Sequence, residues 1–281
     1  MRWRGRRGSR NIEDRRGRGL TGRTAGIGGA GAVLIVVVGA FLGVDLTPLL
    51  QGSAPQSRQP APVTEADQKA AEFVSVTLAD TEEIWTEIFE QQLERPYDPA
   101  VLVLFKGVTQ SPCGAASGAS GPFYCPLDEK VYLDTAFFTT LSQRLGAGGD
   151  FAAAYVVAHE VAHHVQNELG ILGETQRNRA QVSEVESNAI SVRTELQADC
   201  FSGVWARYAR DDLGTLEPGD ISEAMNAAKQ IGDDTLQRNA GRAPQPHTFS
   251  HGTSAQRQAW FARGYETGEL GACDTFKAAS L

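Results

Sequence analysis

Three of the chain's five histidines fall at positions 159, 163 and 164, and His159, Glu160 and His163 spell H-E-x-x-H. At about 100° per residue, positions four apart share one face of a helix. Two imidazoles placed that way can hold one zinc ion while Glu160 sits beside it as a general base. His164 lies about 140° around the helix from His159 and reads as a structural or solvated neighbour. A catalytic zinc also needs a third protein ligand and a position open to water. The extension H-x-x-G-x-x-H is absent, because Gln166 stands at its glycine position and no histidine follows before His247. A carboxylate from another helix is the alternative, and E-L-Q-A-D at 195–199 offers one. Glu195 and Asp199 are i, i+4, so Glu195 can ligate while Asp199 accepts the second ring N–H of a ligand histidine. Glu184 and Glu186 compete for the ligand role but sit in the polar stretch QVSEVES, whereas Glu195 adjoins apolar residues. An ordinary solvated acidic pair is the plain alternative at 195 and 199.

Hydrolysis at such an ion needs a donor for the developing oxyanion. His251, in HTFSHGTSAQR, is the candidate and His247 the second choice. Arg257 could clamp a carboxylate or hold Asp199 in place. A helix cap and ordinary surface charge would equally account for these three residues. An extended peptide could add to a strand edge at Val101–Phe105 or Val131–Asp134.

The elements that must position these groups can be read coarsely. FAAAYVVAHEVAHHVQNEL (151–169) predicts a strong helix, started at Gly148-Gly149-Asp150 and stopped by Gly170. A second helix over about 178–210 carries Glu195 and Asp199. Residues 65–93 predict one or two helices, and shorter helices fall at 137–145, 221–231 and 253–263. VLVLF (101–105) and KVYLD (130–134) read as strands. The fold class is α+β, mainly helical, with a small sheet.

The segments AHEVAHHVQNELG, SVRTELQADCFSGVWA and FSHGTSAQRQAWF, with GPFYCPLDEKVYLD upstream, resemble the bacterial putative neutral zinc metallopeptidase family. The resemblance covers roughly residues 70–276. It implies a zincin-like, gluzincin-type peptidase acting on protein or peptide substrates. His159, His163 and Glu195 would be the ligands of one Zn2+, and Glu160 the catalytic acid/base. A catalytically silent zinc-fold scaffold and a zinc hydrolase of a cell-wall amide are the competing functions.

Charge adds a topological expectation. Residues 1–24 hold nine arginines against Glu13 and Asp14, a formal +7 in a chain whose net charge is -8. The twenty uncharged residues 25–44 could span about 30 Å as a helix, the thickness of a bilayer core. The chain therefore reads as a basic cytoplasmic tail (1–24), one transmembrane helix (25–44), a Pro-rich linker (45–65) and a metallopeptidase domain (66–281). A cleaved signal peptide is the alternative. The expected location is the cytoplasmic (inner) membrane, single-pass, with the C-terminal domain extracytoplasmic. On that side Cys113, Cys125, Cys200 and Cys273 would form two disulfides. Of the three pairings, Cys113–Cys125 would restrain a Gly/Ser/Ala loop and Cys200–Cys273 would tie down the C-terminal tail. The acidic remainder of the chain excludes nucleic acid as a partner.

Overall fold

Capping residues set the helix boundaries in this chain. A computed structural model describes residues 1–17, 62–117 and 121–281. Helix α1 (Glu65–Leu93) is one uninterrupted element, opened by a capping box in which Thr64 and Asp67 satisfy each other's backbone N–H groups. After α2 (Phe137–Gln143) comes α3 (Asp150–Glu168), the helix that carries H-E-x-x-H. Gly170 then adopts a left-handed conformation and starts α4 (Ile171–Arg179). The helix expected over about 178–210 therefore starts later, behind a separate α4. The break falls where Ser183 and Glu186 form a second capping box, from which α5 (Glu184–Asp211) runs on through Glu195 and Asp199. Helices α6 (Asp220–Gln230), α7 (Asp233–Asn239) and α8 (Ser254–Thr267) complete a mainly helical domain.

Alanines and valines let α3 bury almost every side chain, while Trp205 of α5 stacks on its Phe151 and Phe261 of α8 packs edge-on against its Tyr155. Helices α5 and α8 touch backbone to backbone. A Cβ on Gly203 would lie 2.0 Å from the Phe261 carbonyl oxygen, and one on Gly264 would lie 1.9 Å from that of Cys200. Only glycine permits this approach, which sets α8 against the face of α5 that bears Asp199.

The small sheet has the order β1-β2-β6-β5, with β1 (Ile12–Asp14), β2 (Val101–Phe105), β5 (Phe123–Cys125) and β6 (Lys130–Asp134). β2 is parallel to both neighbours, whereas β5 is antiparallel to β6. The two strands expected to offer a free edge are therefore internal, since β1 covers β2 and β5 covers β6. Among the described residues, the open edges belong to β1 and β5. A separate hairpin pairs β3 (Val108–Ser111) with β4 (Gly114–Ser117). The disulfide Cys113–Cys125 ties its turn to β5, and Cys200–Cys273 joins α5 to the C-terminal segment, as the spacing suggested.

The N-terminal residues depart most from expectation. Instead of standing apart as a basic tail, residues 1–17 pack on the domain and supply β1. Of their arginines, Arg6 pairs with the buried Asp80, Arg15 with Glu13, and Arg16 with Asp14. Ser9 and Asn11 both bond Glu82. The Met1 ammonium is buried and bonds Asp150 at 2.8 Å and Asp220 at 3.1 Å. The transmembrane helix expected over 25–44 and most of the linker lie outside the described residues. Among the described residues, no helix is long and apolar enough to cross a membrane.

Candidate metal centre

Helices α3 and α5 bring His159, His163 and Glu195 together, with one ligand atom from each within 4.8 Å of the others. His159 Nε2 lies 3.1 Å from Glu195 Oε2, and His163 Nε2 lies 3.6 Å from Oε1. The two imidazoles stand nearly perpendicular, with centroids 4.8 Å apart. One turn of helix places both rings on one side, and the carboxylate approaches from the adjoining helix.

The surroundings of His159 show which nitrogen faces a ligand. Its Nδ1 is buried and 3.0 Å from Asp199 Oδ1, while Nε2 points to Glu195. The Nδ1 contact lacks hydrogen-bond alignment, leaving that atom without a well-formed partner. Asp199 is fully buried and held from three directions. Arg257 donates from Nε to Oδ2 at 2.8 Å and from Nη2 to Oδ1 at 2.9 Å, and the Tyr155 hydroxyl donates to Oδ1. This two-pronged contact is what planar guanidinium and carboxylate groups favour. Burial opposes ionisation of Asp199, but Arg257 and His159 outweigh it and hold the carboxyl below its usual range. Burial likewise depresses the His159 imidazole, yet Asp199 and Glu195 override it and raise it to about 10. The negative field that would draw a proton there is also the field that retains a divalent cation. Two neutral imidazole nitrogens and one carboxylate oxygen, converging with a wall left open, fit zinc in a three-ligand catalytic arrangement.

These groups line a cavity of about 480 Å³, together with Glu160, His251, Tyr155 and Arg257. Gly121 to Tyr124, leading into and along the open-edged β5, form part of its wall. Glu160 is buried on it, and burial pushes its carboxyl up against the pull of His159 and His163. His251 stands half-exposed at the rim, with Nδ1 3.3 Å from Asp233 Oδ1. Oδ2 of Asp233 accepts the backbone N–H groups of Ser250, His251 and Gly252, at 2.8, 2.7 and 3.0 Å. Burial lowers the His251 imidazole, and Glu195 and Asp233 more than reverse this, raising it.

The remaining candidates are elsewhere. His247 lies in a short 3₁₀ turn, its carbonyl accepting from Asn188, and does not line the cavity. Glu184 and Glu186 occupy the exposed first turn of α5, where Glu186 closes the capping box. His164 is buried between the Tyr124 hydroxyl at 3.2 Å and the Asp98 carbonyl at 2.7 Å, a structural neighbour as its angle on the helix implied. Sequence reasoning passed over Asp233. Its only signal is Gly232-Asp233-Asp234 at a helix start, which is indistinguishable from ordinary acidic capping.

Comparison with known proteins points to zinc chemistry at the level of the family. The family model described as putative neutral zinc metallopeptidase, a class of zinc-dependent hydrolases, matches residues 1–276. The chain is 44% identical over 285 residues to the uncharacterized protein YpfJ of Escherichia coli, covering 98% of this chain and 99% of that protein. It is 49% identical over 188 residues to the uncharacterized protein Rv2575 of Mycobacterium tuberculosis, covering 63% of this chain and 62% of that one. No solved structure matches.

Proposed function

The chain belongs to the putative neutral zinc metallopeptidase family, and on that premise we propose that it is a zinc-dependent endopeptidase with Glu160 as its general base. The observation that carries this reading is the convergence of His159, His163 and Glu195 on the cavity wall that also bears Glu160. When bound, zinc supplies a Lewis acid that polarises a carbonyl and acidifies water. Glu160 takes the proton of the attacking water and returns it to the leaving amine as the C–N bond breaks. Its raised carboxyl is suited to both halves of that transfer. His251 presents Nε2 to the developing oxyanion while its Nδ1–H is held by Asp233. It donates only when protonated, the form that Asp233 and Glu195 favour.

A peptide suits the cavity because, among the described residues, no strand pairs with the outer row of β5 backbone groups along its wall. An extended substrate can complete that row, which supports a polypeptide over a cell-wall amide. The same reading places the domain outside the cytoplasm, where two disulfides are stable. Residues 1–17 share that side when β1 is docked, and 25–44 is the candidate membrane contact.

The test is zinc analysis of the purified full chain, paired with cleavage of an unfolded protein by wild type and Glu160→Gln. Stoichiometric zinc in both, with cleavage by wild type alone, is expected. Equal cleavage by the two removes Glu160 as the base.

A further inference from the structure

His163 has an outer partner unlike that of His159. Its Nδ1 lies 2.8 Å from Oε1 of Gln166, the next turn of α3, whose side chain is fully buried. Gln166 Nε2 donates to the Thr194 carbonyl at 2.8 Å and to Gln197 Oε1 at 3.0 Å. Gln197 Nε2 in turn donates to the Cys273 carbonyl at 3.2 Å. Backbone carbonyls only accept, so the two ends of this chain fix the direction of every bond between them. The Cys273 carbonyl requires the amino group of Gln197, which leaves its oxygen facing Gln166. The Thr194 carbonyl independently requires the amino group of Gln166, which turns Gln166 Oε1 toward His163. An amide oxygen facing an imidazole demands the proton on Nδ1. Nε2 of His163 is then left with a lone pair, on the side that faces Glu195.

We propose that Gln166 is a positioning residue that sets the tautomer of His163 for metal binding. The two-amide relay is anchored on the Thr194 and Cys273 carbonyls. It also ties the first ligand helix to the second beside the third ligand, because Thr194 immediately precedes Glu195. Its far end rests on the segment held by the Cys200–Cys273 disulfide, so the C-terminal residues become part of the support of the site. The metal consequence rests on the zinc reading above, whereas the tautomer does not.

Imidazole 15N NMR of the metal-free full chain, with zinc affinity from chelator competition, tests both parts. Wild type is expected to show His163 wholly as the Nδ1–H form. Gln166→Met loses that preference and binds zinc about 10–100-fold more weakly, the usual cost of removing an outer partner of a ligand histidine. Gln197→Leu removes the far amide but leaves Gln166 between the Thr194 carbonyl and His163. With the Thr194 anchor intact, it keeps the tautomer and loses less zinc affinity than Gln166→Met. An Nε2–H form in wild type overturns the proposal. So does a Gln166→Met protein with unchanged tautomer and affinity. A wild type that shows the Nδ1–H form but binds no zinc overturns the zinc reading and leaves the tautomer assignment standing.

Discussion

The metal centre and the N-terminal segment are both dense in charge, and they reached that state by different routes. At the centre, most partners come from one helix turn or from two adjoining helices, as with His159, His163, Glu195 and Asp199. In the N-terminal segment several partners are far along the chain. Arg6 meets Asp80, Asn11 meets Glu82, and the Met1 ammonium meets Asp150 and Asp220. The centre keeps carboxylates and imidazoles facing an open cavity, whereas the segment's buried charges are matched and closed off. Unfilled charge with a path to solvent marks the place for chemistry, and filled charge marks a place for holding the fold together. Changes at the first should therefore alter rate and metal binding without altering stability, and changes at the second should do the reverse.

The largest expected effect lies at the centre. Glu160→Gln should lower kcat by roughly 10²–10⁴-fold, the range for a general base, with zinc content and melting temperature unchanged. A melting temperature shifted as far as that of an N-terminal variant would break the division. Next is Arg6→Ala, which leaves Asp80 buried without its main cation. Burial already raises Asp80 to about 6 despite Arg6. Breaking such a pair costs about 2–3 kcal/mol here, less than for a fully enclosed pair because Arg6 is partly exposed and Asp80 can take up a proton. At 2–4 °C per kcal/mol for a domain of this size, the melting temperature should fall by roughly 5–10 °C at pH 7. That deficit should shrink in acid as Asp80 protonates, while cleavage per folded molecule stays at the wild-type level.

The same contrast explains what was legible in advance. His159 and His163 four apart on a helix, and Glu195 four before Asp199 on another, are periodic signals confined to a few residues. They place the candidate ligands without knowledge of the fold. Both disulfides match the pairing in which Cys113 and Cys125 bracket the Gly/Ser/Ala loop, one of three that four cysteines allow. The pairing of Ile12–Asp14 with β2 has no comparable signal, because three residues of mixed character carry no alternation and their partner lies some ninety residues on. The arginines of the N-terminal segment also fit a topogenic pattern, since sequence does not show that Arg6 meets Asp80. The free strand edge was misplaced for the same reason. β2 and β6 are the strongest strands by pattern, and strong apolar runs are those a sheet buries between neighbours. The roles of Asp233 and Gln166 were not legible, because they depend on what those side chains face across the fold.

An intermediate effect is expected at the rim of the cavity, where the two kinds of region meet. Asp233 holds His251 through a side-chain contact and three backbone bonds. Asp233→Asn keeps much of the loop geometry and removes the negative charge that raises the imidazole. The alkaline limb of the pH–rate profile should move to lower pH, with a fall in rate of roughly tenfold at pH 8, equivalent to about 1.4 kcal/mol. An unmoved limb would detach His251 from the reaction.

The smallest effect concerns the Met1 ammonium, which lies among Asp150, Glu217 and Asp220. Burial alone would lower it, but the hydrogen bonds it donates to the three carboxylates prevail and raise it from 8.0 to about 10. A cation whose folded value exceeds its unfolded value favours folding fully below pH 8, and that contribution is lost as the pH rises through about 10. Melting curves at pH 7.5, 9 and 10.5 should therefore show stability declining across this window. Asp220→Asn, which removes one partner, should be less stable at pH 7.5 and should lose less on going to pH 10.5. Asp150 opens the helix bearing His159, so this comparison also measures how far the two regions are coupled. Unchanged zinc affinity in Asp220→Asn keeps them separate. A parallel loss of zinc affinity would show that the charge closed inside the fold also supports the charge left open at the cavity.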